Sequence, residues 1–309
     1  NCIFHSKKLK YRYMTPDQLA VFVAVAEREH LTRAAAALGL TPSAVSASIK
    51  ALEAYYNVRL FDRVGRGIEL TREGRAFLRE AKETLARVKS AEAVLSELGG
   101  LRTGRLDVHA SQTIANYWLP PRLLRFRQKH PGIEVDLTIG NTATVSAAVM
   151  EGAAELGFIE GTIDEPALAL LPVMIDKLVI VTAPGRLKAG ATAAAELTGL
   201  CWIMREPGSG TRAVFEQALE ARAIDPRDLQ VVLILPSNEA VLTAVRTSDC
   251  ATALSEAVVA PFVENGQLVV LDIALPPRQF TILRHKERHL TAAAREFEAV
   301  CRAPATPQA

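Results

Sequence analysis

The sequence is poor in cysteine and lacks long apolar runs. Its four cysteines are scattered through 309 residues with no Cys-x-x-Cys pair, which argues against a disulfide framework or a structural zinc site. No run approaches the roughly 20 apolar residues that cross a bilayer, and the chain does not begin with a secretory signal pattern. We therefore expect a globular cytoplasmic protein that is neither secreted nor bound to a membrane.

The common motifs of catalysis are also missing. The sequence has no P-loop and no dinucleotide-binding fingerprint, and Gly208-Ser209-Gly210 lacks the spacing of a nucleophile elbow. His285 and His289 stand four residues apart, but the glutamate between them is misplaced for a metalloprotease, and a solvated turn is the simpler interpretation. We expect no enzyme activity, no metal and no cofactor.

The length and the net charge of the chain narrow the possible domain organisation and the possible binding partners. A chain of this length, with 49% hydrophobic residues, is long enough for about two domains. The net charge is only +2, so any affinity for nucleic acid must come from a local basic patch.

Residues 31–61 predict a helix-turn-helix. Gly39-Leu40 interrupts the first helix, and Thr41-Pro42 restarts the chain as an N-cap followed by a first helical residue. The second helix is predicted from Pro42 to about Tyr55, with Val45, Ile49 and Leu52 on its inward side. Its outward face carries small or basic side chains that suit a major groove, namely Ser43, Ser46, Ala47 and Lys50.

An ordinary αα-hairpin would show the same spacing, and the following segment favours DNA. Two short extended pieces flank Gly65-Arg66-Gly67, and arginines cluster there, which predicts a basic β-wing able to reach phosphates. The predicted DNA contacts are Thr41, Ser43, Ala44, Ser46, Ala47, Lys50, Arg63 and Arg66.

The next predicted element is a long helix over residues 72–100, ended by Gly99-Gly100 and followed by a hinge near residues 102–104. Apolar residues recur along it about every 3.5 positions, a seam that favours a partner helix and hence a dimer. They are Phe77, Ala81, Leu85, Val88, Ala91, Leu95 and Leu98. The helix-turn-helix domain then covers residues 14–71, and residues 1–13 are interpreted as an upstream extension without a role in DNA binding.

Residues 101–309 predict an α/β domain, because short apolar strands alternate with helices. The strands form two sets, which predicts one lobe of about residues 105–176 and 277–303 and another of about 177–276. Ligands bind between such lobes, beyond the carboxyl ends of the strands.

Two turns in this cleft suit an anion. Ser111-Gln112-Thr113 offers hydroxyls and free N–H groups at a helix start, and residues 205–212 combine glycines, hydroxyls and two arginines. The alternative for the second turn is a capped helix whose arginines pair with Glu206 and Glu216. The candidate ligand-binding residues are Ser111, Gln112, Thr113, Asn141, Glu160, Arg205, Ser209, Gly210, Thr211, Arg212 and Ser237.

The run LTRAAAALGLTPSAVSASIKALEAYYNVRLFDR, followed by GIELTREGRAFL, resembles the DNA-binding domain of LysR-type transcriptional regulators. Matching positions include Thr41, Ser43, Ala44, Val45, Ser46, Ile49, Leu52, Glu53, Leu60, Phe61, Arg63, Leu70, Thr71 and Gly74. The resemblance extends over nearly all the chain after Met14, and the Gly-Ser-Gly turn is similar to that of members regulating sulfur assimilation and carbon dioxide fixation.

The resemblance implies a multidomain fold: an all-α winged helix-turn-helix, a linker helix, and a two-lobed α/β effector domain like periplasmic binding proteins. It also implies a homotetramer, dimerised through the linker helix, that binds a double-stranded DNA operator and senses a small anionic metabolite. The alternatives are a solute-binding protein or an enzyme that uses the cleft, and a regulator that acts without an effector.

Overall fold

The computed structural model describes residues 14–65, 67–98, 104–185 and 194–303. The chain forms two compact units that divide between Glu92 and Ala93. The predicted extension at residues 1–13, the wing residue Arg66, and the predicted helix end and hinge at residues 99–103 lie outside the described residues.

The first unit has the predicted winged helix-turn-helix. Its elements are helices α1 (Pro16–Arg28), α2 (Leu31–Leu38) and α3 (Pro42–Tyr56), antiparallel strands β1 (Phe61–Val64) and β2 (Gly67–Leu70), and helix α4 (Arg72–Leu98), whose last residues belong to the second unit. Gly39 ends α2 in a left-handed conformation with φ of +65°, and the Thr41 hydroxyl caps α3 by accepting from the Ala44 N–H. The turn between α2 and α3 bends the chain by 106°.

The inward faces of these helices make one core. Val45, Ile49 and Leu52 of α3 are buried as predicted, and they pack with Phe22 and the alanines of α2. Among the described residues, no single helix is long and apolar enough to span a membrane; α2 and α3 pass that test only as a bent pair.

Helix α4 contributes to the same core. Phe77, Ala81 and Leu85 pack against it, so the first half of the predicted apolar seam is buried within its own chain. Leu95, by contrast, is 69% exposed. The apolar residues of α4 that remain available for contact with a second copy of the chain therefore lie after Leu85.

The wing is fixed to α3 through Glu53. Its Oε1 accepts from the Leu60 N–H at 2.8 Å and the Phe61 N–H at 3.2 Å, which sets where β1 begins. Gly74 of α4 lies against the same segment, and a Cβ at this position would stand 2.1 Å from the Leu60 carbonyl oxygen. The Glu53 and Gly74 positions therefore hold the wing and α4 onto the helix-turn-helix.

The second unit contains two five-stranded sheets. The strands of the first lobe are β3 (Gly104–Ser111), β4 (Ile133–Gly140), β5 (Leu156–Glu160), β6 (Leu168–Asp176) and β12 (Arg278–His285). Those of the second are β7 (Leu178–Thr182), β8 (Cys201–Arg205), β9 (Gln230–Leu235), β10 (Ala251–Ser255) and β11 (Val269–Val270). The first sheet has the order β4-β3-β5-β12-β6 and the second β11-β7-β10-β8-β9.

Helices cover these sheets. Helices α5 (Pro120–Lys129), α6 (Thr142–Glu151) and α10 (Ala292–Arg302) pack on the first lobe, and α7 (Gly210–Glu220), α8 (Asn238–Arg246) and α9 (Glu256–Glu264) on the second. Aromatic side chains fill the first lobe around Phe158, Phe280 and Phe297, and Trp202 stacks on Phe215 in the second. The predicted two-lobed α/β domain is confirmed.

The chain crosses between the lobes twice. Strand β6 ends at Asp176 and leads directly into β7, and the chain returns from the second lobe into β12 at Arg278. Because β6 and β12 are antiparallel neighbours and Arg278 pairs in register with Asp176, both crossings lie at one place.

Gly74→Ala tests the contact between α4 and the wing. Alanine normally favours a helix, but here its methyl group would collide with the Leu60 backbone, and we expect a loss of about 1–3 kcal/mol in the first unit. Hydrogen exchange of α1–α3 peptides in the full chain measures this. Gly67→Ala is the control, because its Cβ would stand no closer than 3.6 Å to any neighbour, at the Val64 carbonyl oxygen; equal exchange in both variants would contradict the argument.

Candidate functional site

The outward face of α3 is open, as the sequence predicts. Its exposed side chains are Thr41, Ser43, Ala44, Ala47 and Lys50, whereas Ser46 is half-buried. The Thr41 hydroxyl lies 3.0 Å from that of Ser43 at the helix start.

Helix α3 and the wing share one groove. Ser46, Lys50 and the wing residue Arg63 line a space of about 90 Å³ between them. The structure thus places three predicted DNA-contacting side chains around one concave surface of the first unit.

In the second unit, the predicted ligand-binding residues lie where the lobes meet. The Gln112 side-chain oxygen accepts from the Asn238 N–H at 2.6 Å, and the Thr113 hydroxyl accepts from the Asn238 amide at 3.2 Å. Asn141 of the first lobe donates to the Glu206 carboxylate of the second at 3.1 Å. These hydrogen bonds close the two lobes onto each other.

The turn at residues 205–212 packs directly on the first lobe. A Cβ on Gly210 would stand 2.4 Å from the Glu160 carbonyl oxygen and 2.5 Å from the Thr142 hydroxyl. Only glycine permits this approach, which brings the start of α7 onto the carboxyl end of β5.

The two arginines of this turn have internal partners. Arg205 is 4% exposed, and it donates to the two Glu206 carboxylate oxygens at 2.8 and 3.0 Å and also to Asn238. Arg212 donates to Glu216 at 2.7 Å and to the Arg205 carbonyl oxygen at 3.2 Å. These are the pairings of the capped-helix alternative, and an anion bound by either arginine would compete with a carboxylate.

Three helix N-termini converge here with their caps in place. The side chains of Asn141, Ser209 and Ser237 accept from N–H groups in the first turns of α6, α7 and α8 respectively. Helix N-termini carry partial positive charge. Their convergence favours negative charge in the space between the lobes.

A buried ion pair joins the crossing strands. Arg278 Nε donates to Asp176 at 2.6 Å, and their side chains are 1% and 3% exposed. The second lobe completes the cluster, because the Thr211 hydroxyl accepts from Arg278 Nη1 at 2.8 Å and the Ser255 hydroxyl donates to Asp176 at 2.7 Å. We call these four residues the hinge cluster.

Sequence reasoning missed Asp176 and Arg278, which stand 102 residues apart. The available signal was a charged residue at the end of each long apolar strand, but the sequence alone does not pair such residues.

Some buried polar groups at this junction have no partner among the described residues. The Ser111 hydroxyl and Arg278 Nη2 are both inaccessible and unbonded. Each such group costs about 1–3 kcal/mol when left unpaired, and more when charged.

Two cysteine thiols of this unit are poor nucleophiles, and its described metal-ligating side chains do not form a cluster of three or more. Burial raises the pKa of Cys301 to about 12, and burial with a hydrogen bond to Cys250 raises that of Cys201 to about 11. Both thiols therefore stay protonated near neutral pH. In the part of the chain that the structure describes, no three His, Cys, Asp or Glu side chains group as a metal site would require.

Two protein-family models match the chain. The family described as "Bacterial regulatory helix-turn-helix protein, lysR family" matches residues 16–75, and "LysR substrate binding domain" matches residues 99–305. YeiE of Escherichia coli K12, an uncharacterized HTH-type transcriptional regulator, is 32% identical over 94% of this chain and 97% of its own. The regulator CbbR of Rhodospirillum rubrum is also 32% identical, over 93% and 96%.

Solved structures have the same fold. CbnR complexed with its target DNA superposes with a TM-score of 0.64 at 21% identity, covering 94% of this chain and 99% of its own. The regulatory domain of Synechocystis PCC6803 CcmR, in complex with 2-PG, gives 0.59 at 26% identity, covering 65% and 96%.

The hinge cluster can be tested with a double-mutant cycle. Arg278→Met or Asp176→Leu alone leaves a buried charge unpaired, and we expect each to cost about 3–5 kcal/mol, whereas the double variant costs less than their sum. Urea unfolding followed by tryptophan fluorescence measures it, since Trp118 and Trp202 both lie in this unit.

Arg227→Met is the control, because Arg227 belongs to an ion pair with Asp225 in which its side chain is 89% exposed. We expect it to leave the midpoint unchanged. Additive costs in the double variant would contradict the pairing.

Proposed function

The chain belongs to the LysR family of DNA-binding transcriptional regulators, and we propose that it adjusts transcription when a small anionic metabolite enters its effector-domain cleft. The family membership predicted from the sequence is confirmed, and the family is one of regulators and not of enzymes. The identity of the metabolite, its contact residues and the oligomeric state are part of the proposal.

On the DNA side, we propose that α3 enters the major groove of an operator. Its small exposed side chains clear the base edges, and Lys50 and Arg63 flank one groove from two elements. Ser43, Ser46 and Ala47 face the bases, and Thr41, Ala44 and Arg66 complete the predicted contacts. The relative CbnR was solved in complex with its target DNA, which supports DNA binding by this chain.

On the ligand side, the observation that carries the proposal is the pair of unpartnered buried donors, the Ser111 hydroxyl and Arg278 Nη2. Buried donors without partners indicate a missing acceptor. The N-termini of α6, α7 and α8 add positive potential at the same junction. The relative CcmR was solved in complex with 2-PG, which is consistent with a ligand in this domain.

Binding changes the output only if the ligand prefers one arrangement of the lobes. The hydrogen bonds of Asn238 and Asn141 join the two lobes in this structure, and separating the lobes would break them. A ligand that adds contacts to both sides stabilises closure, and closure alters the placement of the paired DNA-binding domains.

We propose that the protein acts in the cytoplasm as a homotetramer, dimerised first through α4. Leu95 is exposed on the second half of that helix, and the edge strand β9 is apolar and exposed. Its Val231, Val232, Leu233 and Ile234 are each at least 36% exposed, and apolar surface of this kind favours contact between copies.

One observation favours a second candidate, a regulator that acts without an effector. Glu206 and Glu216 already neutralise Arg205 and Arg212, so internal contacts occupy the turn that the sequence favours for an anion. The ligand experiment below separates the two candidates.

Lys50→Ala and Arg63→Ala test the DNA surface. Each removes one cation from the groove, and we expect weaker binding and a salt slope smaller by about 1 per variant. The measurement is affinity against salt concentration for a duplex selected from a random pool by the full-length protein. Lys89→Ala, an exposed lysine of α4, is the control and should match wild type; equal slopes throughout would overturn the proposed surface.

A panel of small anions tests the ligand site by thermal unfolding of the full-length protein. Ligand at 100 times its dissociation constant stabilises the folded state by about 2.7 kcal/mol. We expect one class of anion to raise the melting temperature and Ser111→Ala to reduce the shift. Thr247→Ala, an exposed hydroxyl at the far end of α8, should keep it. No shift with any anion would favour the effector-independent regulator.

A further inference from the structure

We propose that Cys201 and Cys250 form a two-coordinate site for a soft metal ion with a filled d shell, such as Cu(I) or Ag(I), between two strands of the second lobe. The inference goes beyond the proposed function and does not rest on it. The site lies in a different part of the lobe from the anion cleft.

The strand register brings the two cysteines together. Strands β8 and β10 are parallel neighbours in which Trp202 stands opposite Ala251. Cys201 and Cys250 each precede one of these residues, so they face each other on adjacent strands, and their side chains leave the same face of the sheet. The two thiols share a hydrogen bond, and both cysteines are free.

The surroundings of the pair suit a cation that sheds its water. Cys250 is 6% exposed and belongs to the apolar cluster beneath α8 and α9, whereas Cys201 packs against that cluster and remains partly exposed. An ion therefore reaches Cys201 from solvent and meets apolar neighbours on its other side. The Asp249 carboxylate acts electrostatically on the Cys201 thiol, and its negative charge attracts a cation.

The number of ligands selects the kind of metal. Structural zinc takes four ligands, and among the described residues no third His, Cys, Asp or Glu side chain completes a metal-binding group here. Soft ions such as Cu(I) prefer thiolate ligands, and two thiolates on opposite sides are enough for them. The pair is therefore a poor zinc site and a complete site for a soft two-coordinate ion.

The spacing of the strands favours a metal bridge over a disulfide. Side chains that leave adjacent strands in the same direction start about 4.8 Å apart, whereas the Cβ atoms of a disulfide are only about 3.5–4.5 Å apart. Two metal–sulfur bonds of about 2.3 Å in a line span about 4.6 Å. A linear bridge therefore fits between the strands, and a disulfide would have to draw them together.

The site is far enough from the cleft to act independently of it. Strand β8 runs from Cys201 to Arg205, where the turn at the cleft begins, and β10 ends at Ser255 of the hinge cluster. The length of β8 places its two ends roughly 13 Å apart. A metal ion at the starts of these strands and an anion at their ends do not compete for the same groups.

Titration of the full-length protein with Ag(I) tests the site, because this ion is soft and stable in air. Cys2→Ser and Cys301→Ala are introduced first, so that Cys201 and Cys250 are the only thiols left. We expect one ion to bind per chain and to release one proton from each thiol, since a coordinating thiol is deprotonated. Calorimetry in buffers of different protonation enthalpy measures both quantities.

Cys201→Ser is the decisive variant, because serine keeps the size of the side chain and removes the soft ligand. Losing a group that only supports a metal ligand costs about 10–100-fold in affinity, so we expect the loss of a ligand to cost at least about a hundredfold. The matched control keeps Cys201 and Cys301 and carries Cys250→Ser. It has the same number of thiols in separate places, and we expect it to lack the tight site.

X-ray absorption of the Ag(I)-loaded and Cu(I)-loaded proteins keeps the proposal testable even if a variant does not fold. We expect two sulfur neighbours around each ion, with Cu(I) handled under nitrogen. Zn(II) should bind no better with the pair than without it. Undiminished Ag(I) affinity in Cys201→Ser, equal affinity in the matched control, or three or more ligand atoms around the ion would each overturn the site. None of these results bears on the response to anions.

Discussion

The ion pair between Asp176 and Arg278 stands where the chain crosses between the lobes, and the geometry of the cleft depends on it. Removing two charges from water is expensive, and such a pair is tolerated only when further hydrogen bonds satisfy it. Ser255 and Thr211 supply these bonds from the second lobe. Since Thr211 belongs to α7 and Ser255 ends β10, the pair fixes second-lobe elements to the crossing strands β6 and β12. The two lobes are therefore connected through a buried, hydrogen-bonded cluster at the crossing strands and not only through the linking chain.

From this pivot the contacts continue into the cleft. Thr211 is held by Arg278, the adjacent Gly210 lies on the end of β5, and Arg205 at the start of the same turn is bonded to Asn238. Asn238 in turn reaches Thr113 of the first lobe. A movement of one lobe must therefore break or re-form several buried polar contacts together, which favours two discrete arrangements over a continuous range. A ligand that satisfies unpaired groups in one arrangement biases that equilibrium.

The DNA-binding unit was predictable because its signals are local. The Thr41-Pro42 start and the spacing of Val45, Ile49 and Leu52 lie within one helix, and the observed α3 ends one residue from the predicted end. The cleft was predictable only in outline: strand ends mark its rim, but Asp176 and Arg278 meet only after the chain folds. At the turn, the i,i+4 spacing of Arg212 and Glu216 was visible, yet sequence does not say whether an arginine prefers a carboxylate or a ligand.

For the proposed anion-sensing role, the paired arginines limit how much ligand charge the cleft can compensate. With Glu206 on Arg205 and Glu216 on Arg212, the turn contributes little net charge, and Arg278 shares its charge with Asp176. The remaining positive potential comes from helix N-termini, each equivalent to roughly half an elementary charge. A highly charged ligand would find too little compensation here for its lost hydration. For the proposed sensing role, this balance favours a small ligand of low charge that gains its affinity from hydrogen bonds.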